Sequence, residues 1–263
     1  MNNQSEIIIA FTRLERSFHK HLLHFMVFFI ITGLPILSTS FSFLGALFAI
    51  PYDFIGSVYT DLSTSGLTEN EQLAVGLQVA RVIHRLTALF FLIMAIPFVV
   101  VQLAQIRSWQ IWPEDSWSPV AFLGGIKGLW VNYVSLGHVR IGKFNVGQKL
   151  LAWTMIVCIT AVTVSGFVLM FRDLFSQEIQ EFCRFVHAAS FVVIGVFLIV
   201  HVYLATLAMN RQALTAMFGD GNLPVDYVKS HHPIWYEKLT GEKPGQTSSE
   251  KAGQLVEERD PED

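Results

Sequence analysis

The chain has 263 residues, 52% of them hydrophobic and only 15% charged, with 22 phenylalanines and a mean hydropathy of +0.46. That balance belongs to a membrane protein and excludes an ordinary soluble globule. A net charge of −3, with no basic stripe interleaved with aromatics, excludes a general nucleic-acid partner.

The opening MNNQSEIIIAFTRLER lacks the basic, apolar, small-residue order of a cleavable signal, so the first apolar span reads as a retained helix. It starts after Lys20 and runs through LLHFMVFFIITGLPIL, with a break expected near Pro35. The segment from Phe41 to Ile55 is apolar but interrupted by Gly, Pro and Ser; it reads as an interfacial helix in the first outer loop rather than a fifth span. The second span is LTALFFLIMAIPFVVVQLAQI, between Arg85 and Arg107, and the third is LLAWTMIVCITAVTVSGFVLMF, between Lys149 and Arg172. The fourth, Phe185 to Asn210, holds no charge for 26 positions. The last three are each long enough to cross about 30 Å of hydrocarbon. The sequence thus predicts an all-α membrane protein, a four-transmembrane-helix bundle over residues 1–239, followed by a polar acidic tail, 240–263, that is disordered or draped over a partner.

Lysine and arginine placement orients the bundle. The connection from Ser38 to Ala80 carries Asp53, Asp61, Glu69 and Glu71 but no Lys or Arg, whereas the one after the second span holds Arg107, Lys127, Arg140, Lys143 and Lys149. The latter is expected inside, which places both termini in the cytoplasm. Neither cysteine carries a cofactor motif. Cys158 lies mid-span and Cys183 outside one, about 20 Å apart in depth, too far for a disulfide. The absence of C-x-x-C-H removes covalent c-type haem, and any iron–sulfur cluster must belong to a partner.

Of nine histidines, two lie on the fourth span, His187 and His201, 14 residues apart. At 100° and 1.5 Å per residue they share a helical face to within about 40° and stand roughly 21 Å apart along the axis. In this topology His84, at the start of span two, shares the outer level with His187, and His19, His21 or His24, at the start of span one, shares the inner level with His201. Two stacked bis-imidazole sites in a helical bundle are what two b-type haems require. Ionisable residues inside a membrane are functional by default, whereas a single histidine at a helix end is an ordinary interfacial residue. Gly33, Gly166 and Gly195 are candidates for the small residues needed where a macrocycle approaches a helix. His231 and His232 read as interface residues, and His138 as a candidate for proton handling.

Just before span three, RIGKFNVGQKLLAW places Asn145 and Gln148, with Gly142 and Gly147, at the inner surface. Amide donors there suit a quinone carbonyl, which becomes an anionic acceptor on reduction. The same residues equally suit a helix cap with turn glycines. Arg81, Arg85 and Arg184 outside, with Arg13 or Arg16 inside, suit either haem propionates or snorkelling anchors at helix ends.

Six short motifs carry a resemblance over residues 13–239: ER-x-x-H at Glu15–His19 with Thr32-Gly33, R-x-x-H at Arg81–His84, GKFNVGQK at Gly142–Lys149, HAA at His187, H-x-Y at His201–Tyr203, and HHPIWY at His231–Tyr236. With these the chain resembles the cytochrome b (gamma) subunit of membrane-bound, quinone-linked formate dehydrogenase, related to the b-type cytochrome of nickel–iron hydrogenase. It departs from that family's pattern at Lys20, where Trp is usual, and at Arg85, where Pro is frequent.

The resemblance implies that His84 and His187 ligate the iron of an outer haem b and His19 and His201 that of an inner one, with menaquinone or another quinone near Asn145, Gly147 and Gln148. It implies an electron-transfer subunit that carries the quinone-reduction site but not the formate site. Its partners would be an iron–sulfur (beta) subunit and a molybdenum or tungsten catalytic (alpha) subunit, besides membrane lipid. The same role in a hydrogenase or another molybdoenzyme complex, and a haem-free membrane anchor, are the alternative readings.

Overall fold

The computed structural model describes residues 6–59, 66–113, 118–135 and 139–241. Among them, helices α1 (Arg13–Leu37), α3 (Glu69–Ala104), α5 (Val146–Met170) and α6 (Gln177–Thr206) are the four long and apolar enough to cross a membrane. Few of their residues are buried within the chain, and large side chains such as Ile93, Phe185 and Ile199 stand exposed, as lipid-facing positions must. The remaining helices are α2 (Ala46–Tyr59), α4 (Pro119–Tyr133), α7 (Arg211–Phe218), α8 (Val225–His231) and α9 (Pro233–Thr240), with short strands β1 (Ile7–Ile9) and β2 (Asn222–Pro224).

Helix starts follow local chemistry. Thr12 caps α1 in a capping box: its hydroxyl accepts from the Glu15 N–H at 3.2 Å while the Glu15 carboxylate accepts from the Thr12 N–H at 2.8 Å. Thr68 and Glu71 form the same box at the start of α3, and Ser118 with Pro119 opens α4. Helix α3 therefore begins 17 residues before Leu86, where its apolar run begins. Pro35 falls in the last turn of α1, whose helix ends at Leu37.

The chain divides into two units. One comprises Thr12–Ile106 and Val162–Phe191 and is called the pair unit. In it, α1 packs along α3, and α2 with the 3-10 turn before it crosses α3 where Gly45 meets Gly76; a Cβ at Gly76 would collide with the Gly45 carbonyl. With 14 residues, α2 is about 21 Å long and too short to span.

The other unit comprises Met1–Phe11, Arg107–Ala161 and Val192–Asp263 and is called the cap unit. Its core gathers Ala10, Ala216, Leu223, Tyr227, Val228, Trp235 and Tyr236. Around that core β1 pairs antiparallel with β2, Ile8 opposite Leu223. Helix α4 lies against the start of α5, so close that a Cβ at Gly125 would overlap the Val146 side chain. Cys158 and Cys183 are both free thiols. His138 and the tail beyond Gly241 lie outside the described residues.

Candidate haem and quinone sites

In the pair unit, α3 and α6 bring His84 and His187 together, their ring centres 6.2 Å apart. Two metal–imidazole bonds of about 2.0–2.1 Å, each extended by roughly 1.1 Å from nitrogen to ring centre, would set the centres about 6.3 Å apart. The spacing therefore fits one metal ion between the two rings. Among the described residues no group of three or more His, Cys, Asp or Glu side chains gathers to hold a metal. An ion between two imidazoles can take its other ligands from a macrocycle, and the donor set fits b-type haem.

Each imidazole is gripped from a second helix by a hydroxyl–glycine dipeptide. On α1 the Thr32 hydroxyl donates to the Phe28 carbonyl at 2.6 Å, so at 2.8 Å it accepts from Nδ1–H of His84. On α5 the Ser165 hydroxyl donates to the Val162 carbonyl at 3.4 Å and accepts from Nδ1–H of His187 at 3.1 Å. Both rings are thereby held in the tautomer that leaves Nε2 free to ligate, the arrangement that orients metal-bound histidines. The following glycines make room: a Cβ at Gly33 would stand 3.5 Å from Cε1 of His84, and one at Gly166 only 3.1 Å from Cε1 of His187. Thr32 and Ser165 are 1% and 2% exposed, so neither hydroxyl is there for water.

Aromatic rings close the surroundings. Phe29 packs edge-on to His84 at 5.2 Å, with Phe25 and Phe91 behind it. Gly33 and Gly166, predicted to sit where a macrocycle approaches, in fact face the imidazoles themselves, and Gly195 has open space around its Cα. His19 is half-buried near the start of α1, and roughly 40° around that helix from Gly33, on the face turned to His84. His21 and His24 are exposed, and each places Nδ1 2.7 Å from a backbone carbonyl of its own helix, Ser17 and Lys20 respectively. His19 belongs to the pair unit and His201, half-buried on α6, to the cap unit.

In the cap unit, Asn145 and Gln148 form a reciprocal cap on α5. The Asn145 Oδ1 accepts from the Gln148 N–H, and the Gln148 Oε1 from the Asn145 N–H, both at 2.9 Å. Asn145 is 8% exposed, and its Nδ2 donates to the Tyr133 hydroxyl oxygen at 3.4 Å. Gly147 packs under Leu129 of α4. Beside this cap lies a cavity of about 60 Å³, lined in part by Lys143, Gln148, Asn210, Tyr227, His232 and Trp235. His232, read from the sequence as an interface residue, lies 2.9 Å through Nδ1 from the Gly142 carbonyl, and burial holds it below the ordinary imidazole value. Lys143 sits over three rings, Phe11, Phe144 and Trp235, at 5.2–5.4 Å.

The sequence reading did not single out Ser165 or the role of Thr32, and it missed Tyr133 and Asn210. The first two were signalled by a shared pattern, Thr-Gly and Ser-Gly inside apolar helices. Tyr133 ends a helix that falls in a connection read as loop.

The family described as prokaryotic cytochrome b561 matches residues 10–220, and the chain belongs to that family. Membership makes it a b-type cytochrome, and its four long apolar helices make it a multi-pass membrane protein. The cytochrome b556(Fdo) subunit of formate dehydrogenase from Escherichia coli K12 is 31% identical over 101 residues, 37% of this chain and 46% of the relative. The cytochrome b556(Fdn) subunit of the nitrate-inducible formate dehydrogenase of the same strain is 26% identical over 102 residues, 38% of this chain and 46% of the relative. The cytochrome b556 subunit from Haemophilus influenzae is 29% identical over 100 residues, 37% of this chain and 41% of the relative. The chain spans less than half the length of these curated relatives.

Proposed function

We propose that the chain is the diheme cytochrome b subunit of a formate dehydrogenase complex, carrying electrons from an outer iron–sulfur subunit to quinone at the cytoplasmic face. The observation that carries this reading is the His84–His187 pair, 6.2 Å apart with both Nδ1 atoms held by buried hydroxyls. His84 and His187 would hold one haem b; His19 and His201 would hold the second, 14 residues further along α6 from His187. Bound haem supplies a reversible one-electron carrier in low dielectric. Thr32 and Ser165 keep the ligand nitrogens unprotonated, and Phe29, Phe25 and Phe91 keep water from the rings. Asn145, Gly147 and Gln148 mark the quinone end, with the first turn of α5 presenting backbone N–H donors that its own ladder does not use. Formate oxidation outside and proton uptake by quinone inside would together build proton-motive force with no proton channel in the chain.

The relatives' names and the matched motifs support formate as the partner's substrate, and membership of a cytochrome family weighs against a haem-free anchor. The test begins with the absorption spectrum of the purified complex, which should show a reduced b-type α-band from two haems per chain. His201→Ala should remove one haem and quinone reduction together, leaving the other haem reducible by the partner subunit. His187→Ala should block haem reduction altogether. The native complex should reduce a water-soluble naphthoquinone with formate and not with hydrogen; the opposite preference would move the chain to a hydrogenase complex.

A further inference from the structure

The cap on α5 and Tyr133 take the Oδ1 of Asn145 and one of its two Nδ2–H groups, and the Tyr133 phenol is a second group beside this amide that can face the quinone. The Asn145 Oδ1 is taken by the Gln148 N–H and its Nδ2 points to the Tyr133 hydroxyl oxygen at 3.4 Å. A second amide does the same: Asn210 Nδ2 donates to the Tyr133 oxygen at 3.4 Å while its other N–H reaches the Leu204 carbonyl at 2.8 Å. A phenol oxygen that accepts twice leaves its own hydrogen as the one group still to be directed.

We infer that Tyr133 is the proton donor to the reduced quinone oxygen, and that the neighbouring cavity bounded by Asn210, Gln148 and His232 returns the proton. This rests on the quinone reading of Asn145 and Gln148. The quinone takes two electrons from the haem-held supply and two protons. Tyr133 breaks its O–H bond to give one proton to a quinone oxygen and its phenolate takes one back from water in the cavity, while water gives the second to the other quinone oxygen, so both come from the aqueous side. A volume of about 60 Å³, with Lys143, Gln148, Asn210, Tyr227 and His232 among otherwise apolar walls, suits a small number of waters. Facing Tyr133 are Asn145 from the start of α5, Asn210 from the turn after α6, and the phenol of Tyr227 on α8, which donates to the Met209 carbonyl at 3.2 Å; the cavity that Asn210 and Tyr227 line also carries Lys143 and His232. Burial and the nearby Tyr133 push the Tyr227 phenol up, so it stays protonated.

The experiment uses the intact complex with formate and a water-soluble naphthoquinone. Tyr133→Phe should lower kcat about 100-fold, the lower range for general acid catalysis, with KM, both haem spectra and the rate of haem reduction by formate unchanged. Replacing Tyr133 with fluorinated tyrosines should shift the alkaline limb of the kcat profile to lower pH, following the phenol's acidity. A spacer that merely holds two amides would show no such shift. Unchanged kcat in Tyr133→Phe, or a limb that does not move, overturns the inference. If Asn145→Asp lowers quinone turnover while Tyr133→Phe does not, only this inference falls. If neither changes turnover, the quinone site itself lies elsewhere.

Discussion

Thr32→Val isolates the bond that holds the His84 imidazole. Valine keeps the β-branched shape and the helical rotamer, so the packing of α1 against α3 is retained. The Phe28 carbonyl keeps its helical partner, the Thr32 backbone N–H, and the loss falls on His84 Nδ1–H, left without an acceptor at a position 1% exposed. An unsatisfied buried donor costs about 1–3 kcal/mol; the middle of that range, about 2 kcal/mol, is roughly a 30-fold loss of haem affinity, inside the 10–100-fold expected for a ligand's outer partner. With haem bound, the hydroxyl would also make the imidazole a stronger donor to oxidised iron. Losing it should raise that haem's potential by roughly 20–60 mV, a two- to tenfold shift at 59 mV per decade. The assay is haem transfer from the purified complex to an excess of apo-globin, with a redox titration on the α-band; Thr32→Ser should behave as wild type. If Thr32→Val releases haem at the wild-type rate and at an unchanged potential, the hydroxyl does not set the ligand.

Gly166→Ala should disturb its site more than Gly33→Ala, because the added carbon would stand 3.1 Å rather than 3.5 Å from the imidazole; haem content per chain reads the difference. Asn145→Ala should cost about 1 kcal/mol of stability through the lost cap, and Asn145→Asp almost none, since aspartate caps as well. Only a donor role for the amide makes both lower quinone turnover, so thermal melts beside turnover separate the two contributions. His232 sits below the ordinary imidazole value of 6.5, chiefly through burial, with His231 and Lys143 pushing the same way against the Gly142 carbonyl. A lowered folded value means that its contribution to stability is complete above pH 6.5 and declines as pH falls below that toward the folded value. Hydrogen exchange across residues 207–241, corrected for intrinsic rates, should therefore quicken between pH 7.5 and 5.5, and His232→Gln should flatten that response.

Span identity was legible because a long apolar run has few other uses, and each span falls on one of the four long helices, the last three running a few residues past the helix ends at Ala104, Met170 and Thr206. Helix ends were less so, because hydropathy marks where lipid begins and not where the backbone starts to coil. Helix α3 starts at Glu69, where Thr-x-x-Glu is a local start signal independent of hydropathy. The same box at Thr12 and its Asn-x-x-Gln variant at Asn145 open α1 and α5. The cap unit was hidden for the opposite reason. Residues 207–240 are mixed in polarity, and their core forms only when Leu223, Tyr227 and Trp235 meet Ala10 from the far end of the sequence.

No repeat in sequence announces it, yet the His84–His187 site is assembled twice by one device. On α1, Thr32-Gly33 sets a hydroxyl at Nδ1 and a bare Cα at Cε1 of the His84 ring; on α5, Ser165-Gly166 does the same to His187. The pairing is forced by size. A hydroxyl reaches Nδ1 of a neighbouring helix's imidazole only if the backbones approach closely, and a Cβ at the next position already presses on the His187 ring at Gly166. A small polar residue followed by glycine is therefore the minimum that holds an imidazole from a second helix. No hydroxyl–glycine pair flanks Asn145; its amide and that of Asn210 converge on Tyr133, and a phenol has a proton to give where Thr32 and Ser165 only accept one. The contrast suits the two tasks, since a ligand must be fixed in one tautomer while a quinone must be handed protons at each turnover.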